Sequence, residues 1–192
     1  RGGGIARYRV TELRPLVPPP APDLAHIPVR GCAIVHPWAG APARRWPVER
    51  WAAVARALAE RGVVVVVTGS EPEQRLAGAV VELADLPAER DLAGRLDLCE
   101  LAGLVSVARV VVSTDTGIAH LAGALGSPSV TLFGPSSPEQ WGPPPGPHRV
   151  LWRGEVGDAN ADVLHPGLAG IGAAEVIDEL DVLLRMAPSP TG

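Results

Sequence analysis

Short apolar runs recur along this chain with helix-patterned stretches between them, and that alternation constrains the fold more than any other feature. "CAIVH" (32–36), "VVVVVT" (63–68), "RVVVS" (109–113) and "PSVTLFG" (128–134) are five to seven residues long and show little polar alternation. Runs of this kind suit strands buried on both faces, as parallel sheets require. "HRVLW" (148–152) reads as a last strand. Between the runs, "PVERWAAVARALAERG" (47–62) carries Pro at its start and Gly after its end, the signature of a helix. Helices are also expected over 71–84, 96–108, 116–126 (closed by Gly126) and 172–186. Strands alternating with helices imply a parallel sheet with right-handed crossovers. The expected class is therefore α/β, a Rossmann-like parallel sheet with helices on both faces and no internal repeat.

The organisation follows from length and composition. A chain of 192 residues can bury the core of one domain. Residues 15–28, "PLVPPPAPDLAHIP", are proline-dense and suit a semi-rigid extended linker better than a packed element. The expected division is a Pro-rich linker or N-terminal remnant over 1–31, one globular domain over 32–186 and a disordered tail over 187–192. The net charge of −4 argues against nucleic acid or an anionic membrane as a bulk partner. Every basic side chain is Arg, so an Arg can stand where another protein would use Lys. No apolar run approaches the roughly 18 residues of a membrane helix. Residues 1–10 lack an apolar signal region and an initiator Met, and the chain reads as an excerpt. Cys32 and Cys99 show no metal-ligand spacing and read as small buried hydrophobes in a reducing cytoplasm.

Parallel sheets bind ligands at the carboxyl ends of their strands, near the point where strand order reverses. The loops after 36, 68, 113 and 134 should share that edge. "HPWAGAPARRWP" (36–47) places Arg44 and Arg45 before a helix start, where forked donors and unpaired N–H groups suit an anion; two solvated surface arginines are the plain alternative. "TGSEPEQ" (68–74) offers close backbone approach at Thr68-Gly69-Ser70, then Glu71 and Glu73. Either carboxylate could bind ribose hydroxyls, or simply favour the first helical turn. "STDTGIAH" (113–120) is the richest segment. Ser113, Thr114 and Asp115 end a strand, Asp115 or Thr114 can cap the next helix, and Gly117 leaves its first turn unshielded. His120 lies one turn beyond Thr116 on the same face. Hydroxyls, helix N-terminus and imidazole then converge on one spot, and an oxyanion such as a diphosphate would use all of them. "LFGPSSPEQWGP" (132–143) adds Phe133, Gly134 and Trp141 as a wall against which a nucleobase could pack, or as ordinary loop packing.

Four segments in this order resemble glycosyltransferase family 9, the ADP-heptose:lipopolysaccharide heptosyltransferases and their relatives: "HPWAG…RRWP", "VTGSEPE", "LAGLVSVARVVVSTDTGIAHLAGALGSPSVTLFGP" and the closing helix, spanning about 32–186. The resemblance implies one half of a B-type glycosyltransferase fold, the half that binds the nucleotide-sugar donor. It implies donor-phosphate contacts at Arg44 (in place of the family's Lys), Thr114, Asp115, Thr116, Gly117 and His120. Nucleoside contacts are implied at Glu73 ahead of Glu71, with Phe133 and Gly134 beside it. Trp38 departs from the small Gly usual after "HP" in the family.

The implied reaction moves a heptose or related sugar from a nucleotide-sugar, ADP-heptose by the family's name, to a glycan or glycolipid hydroxyl. Inversion is implied, with no metal cofactor; no Asp-x-Asp pair occurs. The catalytic base is expected in the family's N-terminal acceptor domain, so no catalytic residue is assigned in this chain and the fragment is expected to be inactive alone. The implied partners are the donor and that acceptor domain, with no nucleic acid and at most peripheral membrane contact through a glycolipid. The implied setting is the cytoplasm, at the inner face of the membrane. The competing reading is a nucleotide-binding regulatory or scaffold module without transfer chemistry.

Overall fold

Each apolar run is a strand in the computed structural model, which describes residues 18–24 and 27–186. In chain order the elements are β1 (Ala33–His36), α1 (Val48–Glu60), β2 (Val65–Val67), α2 (Gln74–Leu83), α3 (Leu98–Val107), β3 (Val110–Thr114), α4 (Gly117–Leu125), β4 (Ser129–Leu132), α5 (Pro138–Trp141), β5 (His148–Leu151), α6 (Pro166–Ala169) and α7 (Ala173–Met186). The strands form one sheet in the order β2-β1-β3-β4-β5. All four pairings are parallel, with Ile34 beside both Val66 and Val111.

Alternate residues of the strands feed two separate cores, because successive side chains leave a strand on opposite faces. Val35, Val67, Val112 and Leu132 meet α1, α2 and α7 on one face. Ile34, Val66 and Val111 meet Leu104 and Val105 of α3 and Ile118 and Ala122 of α4 on the other. This double burial explains why the strands read as continuous valine runs. On the first face, Trp46 and Trp51 pack edge to face with ring centroids 4.9 Å apart. The Trp46 indole N–H donates to the Ile171 carbonyl at 3.0 Å, tying the start of α1 to the turn before α7.

Several local expectations change. The stretch 71–84 begins as a 3₁₀ turn over Glu71–Glu73 and becomes α-helical only from Gln74. The four-residue helices α5 and α6 were not expected; each starts on Pro, and neither is long enough to show a period. Of the proline-dense stretch, residues 18–24 lack regular structure but are packed. Ala21 and Leu24 lie against the α3/α4 core, and a Cβ on Gly103 would meet the Pro20 carbonyl oxygen at 2.2 Å. Ile27 and Val29 are buried in the same core. These residues pack where a semi-rigid extended linker was expected, because the apolar side chains among the prolines reach the α3/α4 core over Gly103. The rest of the N-terminal stretch and the tail 187–192 lie outside the described residues. Cys32 is buried, and burial pushes its thiol up to about 12. Cys99 is exposed instead of buried, since it sits on the outer side of the first turn of α3. Among the described residues, no helix is long and apolar enough to cross a membrane.

Candidate functional site

The chain runs from β1 outward to β2, then returns past β1 to β3. The connections leaving β1 and β3 therefore diverge, α1 to one face and α4 to the other. Divergence opens a crevice at the carboxyl ends of these two strands. Two adjoining clefts occupy it, and both are walled by Gly117 and His120 from the first turn of α4.

The smaller cleft, about 290 Å³, is lined by Arg44, Asp115, Thr116 and Trp141 besides the shared wall. The helix N-cap is Thr116, whose hydroxyl caps no helix N–H and lies 3.3 Å from the Thr114 carbonyl oxygen. No side chain thus covers the first N–H groups of α4, which carry the positive end of the helix dipole. Arg44, at the end of a 3₁₀ turn over Pro42–Arg44, donates from Nη1 to the Asp115 carbonyl oxygen at 3.0 Å. Its Nε is buried without a partner, so the guanidinium retains capacity to donate. The backbone beside it is braced: Ala43 N–H donates to Ala161 at 3.1 Å, and Ala43 accepts from His165 N–H at 3.1 Å. The Asp115 side chain is nearly buried and places Oδ1 3.5 Å from His120 Nε2; it caps no helix N–H. Neither does Thr114, whose Oγ1 is buried without a partner and lies outside both clefts, so it does not share the site with its neighbours.

The larger cleft, about 610 Å³, lies between the loops after β1 and β2 and the facing turns of α3 and α4. Its polar corner holds His36, Thr68 and Glu73; its walls are Leu92, Leu96, Leu101, Ile118 and Leu121. Glu73 Oε2 accepts from Ser70 N–H at 2.6 Å, so one carboxylate oxygen orders the loop. Glu71 is exposed and lines neither cleft, which separates the two acids. His36 Nδ1 stands 3.0 Å from Thr68 Oγ1. Burial lowers the His36 pKa, with the Glu73 charge opposing, and the imidazole is neutral at neutral pH.

Two expected site residues fall elsewhere. Phe133 is fully buried and Gly134 is covered by Leu168, so neither offers a face to a base. Trp141 is 56% exposed, but on the smaller cleft, with its ring centroid 6.3 Å from that of His120. Arg45 serves the loop itself: Nε and Nη2 donate to the carbonyls of Ala39 and Gly40, and the guanidinium stacks 4.1 Å from the Trp38 ring. Trp38 thereby braces the loop through Arg45 in a way a glycine could not. His36 and the leucine wall were missed by sequence reasoning. The leucines of 92–101 gave no sequence signal of their own, since leucines beside a helix read as core.

A doubly wound parallel domain with an uncovered helix N-terminus at its switch point belongs to the class of α/β folds that bind ligands outside the carboxyl ends of their strands. Residues 21–159 match glycosyltransferase family 9 (heptosyltransferase), and the chain belongs to that family. Lipopolysaccharide heptosyltransferase 2 of Escherichia coli (strain K12) is 32% identical over 152 residues, covering 74% of this chain and 43% of that protein. The solved structure of the E. coli ADP-heptose lipopolysaccharide heptosyltransferase II matches with a TM-score of 0.70 at 30% identity, over 83% of this chain and 48% of that one. A family 9 glycosyltransferase from Veillonella parvula matches with a TM-score of 0.71 at 26% identity, over 84% and 48%. The chain thus spans slightly less than half the length of these relatives.

Proposed function

We propose that this chain is the donor-binding half of a glycosyltransferase that moves a heptose or related sugar from a nucleoside-diphosphate sugar to an acceptor hydroxyl. The observation that carries the reading is the pair of clefts joined at Gly117 and His120. An elongated ligand with an apolar, hydroxyl-bearing end and an anionic middle fits that pair. In this reading the nucleobase lies among Leu96, Leu101 and Leu121, and the free Glu73 oxygen takes a ribose hydroxyl. The diphosphate meets the α4 N-terminus, Arg44 and His120. That placement moves the base away from Phe133, Gly134 and Trp141, where the linear sequence suggested it. The binding unit is 32–186, with 18–29 packed upon it.

Transfer breaks the bond between the sugar's anomeric carbon and the diphosphate oxygen and forms one to the acceptor oxygen. The acceptor proton passes to a base, which this reading assigns to the acceptor domain. Negative charge grows on the departing diphosphate, and fixed donors aimed at it lower the barrier. Arg44 and the helix N–H groups can supply this stabilisation. The similarity to a heptosyltransferase whose donor is ADP-heptose supports adenosine as the nucleoside and a lipopolysaccharide precursor as the acceptor. Such an acceptor supports a setting at the cytoplasmic face of the inner membrane.

The test is thermal stabilisation by ADP, GDP and UDP and their monophosphates. A ligand at ten times its dissociation constant adds roughly 1.4 kcal/mol. ADP is expected to stabilise the chain more than AMP does, and Arg44→Ala and His120→Ala are expected to remove most of that difference. Absence of stabilisation by every diphosphate overturns the reading.

A further inference from the structure

We infer that Trp141 forms the sugar-side platform of the site and discriminates a nucleoside-diphosphate sugar from the bare nucleoside diphosphate. The inference rests on the donor-binding reading and extends it to the one part of the ligand that reading leaves unplaced. Trp141 ends α5, whose start is fixed by Ser137 Oγ accepting from Glu139 N–H at 3.2 Å. Its indole lines the cleft of Arg44 and Asp115 and is absent from the apolar cleft across α4. With the nucleoside in the apolar cleft and the phosphates at the shared wall, whatever follows the second phosphate falls on the Trp141 side.

The indole is unusual for its position. It is 56% exposed although it is among the largest apolar groups of the chain. Its ring lies tilted against the His120 ring, at 59° and 6.3 Å. Such exposure does not fit a tryptophan placed for core packing. An aromatic face is electron-rich and attracts the weakly positive C–H hydrogens of a sugar ring. The ring's hydroxyls then have polar neighbours: the nearly buried Asp115 carboxylate, 3.5 Å from His120, and Ser136 on the same cleft. Stacked aromatic below and fixed acceptors at the edge make a receptor for a polyhydroxylated ring.

Calorimetric titration of the full chain with ADP and with ADP-heptose tests this, using wild type, Trp141→Ala and Trp141→Phe. Trp141→Ala is expected to leave ADP affinity within about twofold while weakening ADP-heptose about fivefold or more, as loss of an aromatic stack does. Trp141→Phe is expected to recover most of that loss, and retained ADP binding shows that the variants are folded. Equal weakening of both ligands, or of neither, overturns the inference and leaves the donor-binding reading intact. Failure of the wild-type chain to bind either ligand overturns both.

Discussion

At the scale of single residues, the site depends on which polar groups the fold leaves free. Arg44 keeps an unpartnered Nε, and Glu73 keeps one oxygen after ordering its loop. His36 makes a different contribution, since its imidazole, half-buried at the end of β1, has its pKa lowered by desolvation. Its folded pKa lies below the ordinary histidine value of about 6.5, so the unfolded chain binds the extra proton first as pH falls. Stability from this group is complete above about 6.5 and declines as pH drops from there toward the folded value. His148, half-buried against Ser129, is lowered by burial too and acts in the same direction. Chemical denaturation at pH 7.5 and 5.5 should therefore find the chain less stable at the lower pH. His36→Gln should shrink that difference, and His36→Gln with His148→Gln should shrink it further. A pH response identical in wild type and double variant would count against neutral burial of these histidines.

At the scale of elements, α4 decides what the crevice can hold. A Cβ on Gly117 would meet no atom within 4 Å, so the residue is small for the sake of the open space before it. Alanine favours a helix over glycine by about 1 kcal/mol in an interior position, and less at an end. Gly117→Ala should therefore leave the melting temperature unchanged or slightly raised, while weakening nucleotide affinity about tenfold by standing between ligand and N–H groups. A melting temperature that falls with affinity would show a structural role instead. The strands and long helices were legible in the sequence because valine runs and amphipathic stretches report directly on burial. The Asp115–His120 segment drew notice as a candidate because its hydroxyls and acid have no evident packing purpose. Phe133 was misplaced because an apolar residue just past a strand end looks the same whether it faces a cleft or a core. The leucine wall was invisible for the converse reason: helical leucines read as core until a structure shows an empty side. Helices α5 and α6, four residues each, have no periodicity to read.

At the scale of the whole molecule, residues 18–24 and 27–29 pack into the fold. Gly103 makes this possible, since any side chain there would strike the Pro20 carbonyl. Gly103→Ala should cost about 1–3 kcal/mol, the usual penalty for overpacking. Faster amide exchange should follow at Ala21, Asp23 and Leu24, with the sheet's exchange changed only by the global loss. Unchanged exchange in that segment would mean the contact is dispensable. The two clefts carry a further consequence for how a ligand arrives and leaves. Because Gly117 and His120 wall both, seating one end of a long ligand presents the other end to its own cleft at an effective concentration on the order of millimolar. The affinities of the pieces then understate that of the whole, and departure requires both ends to release at once. Small losses at either end reappear as a shortened residence time, with the rate of encounter almost untouched.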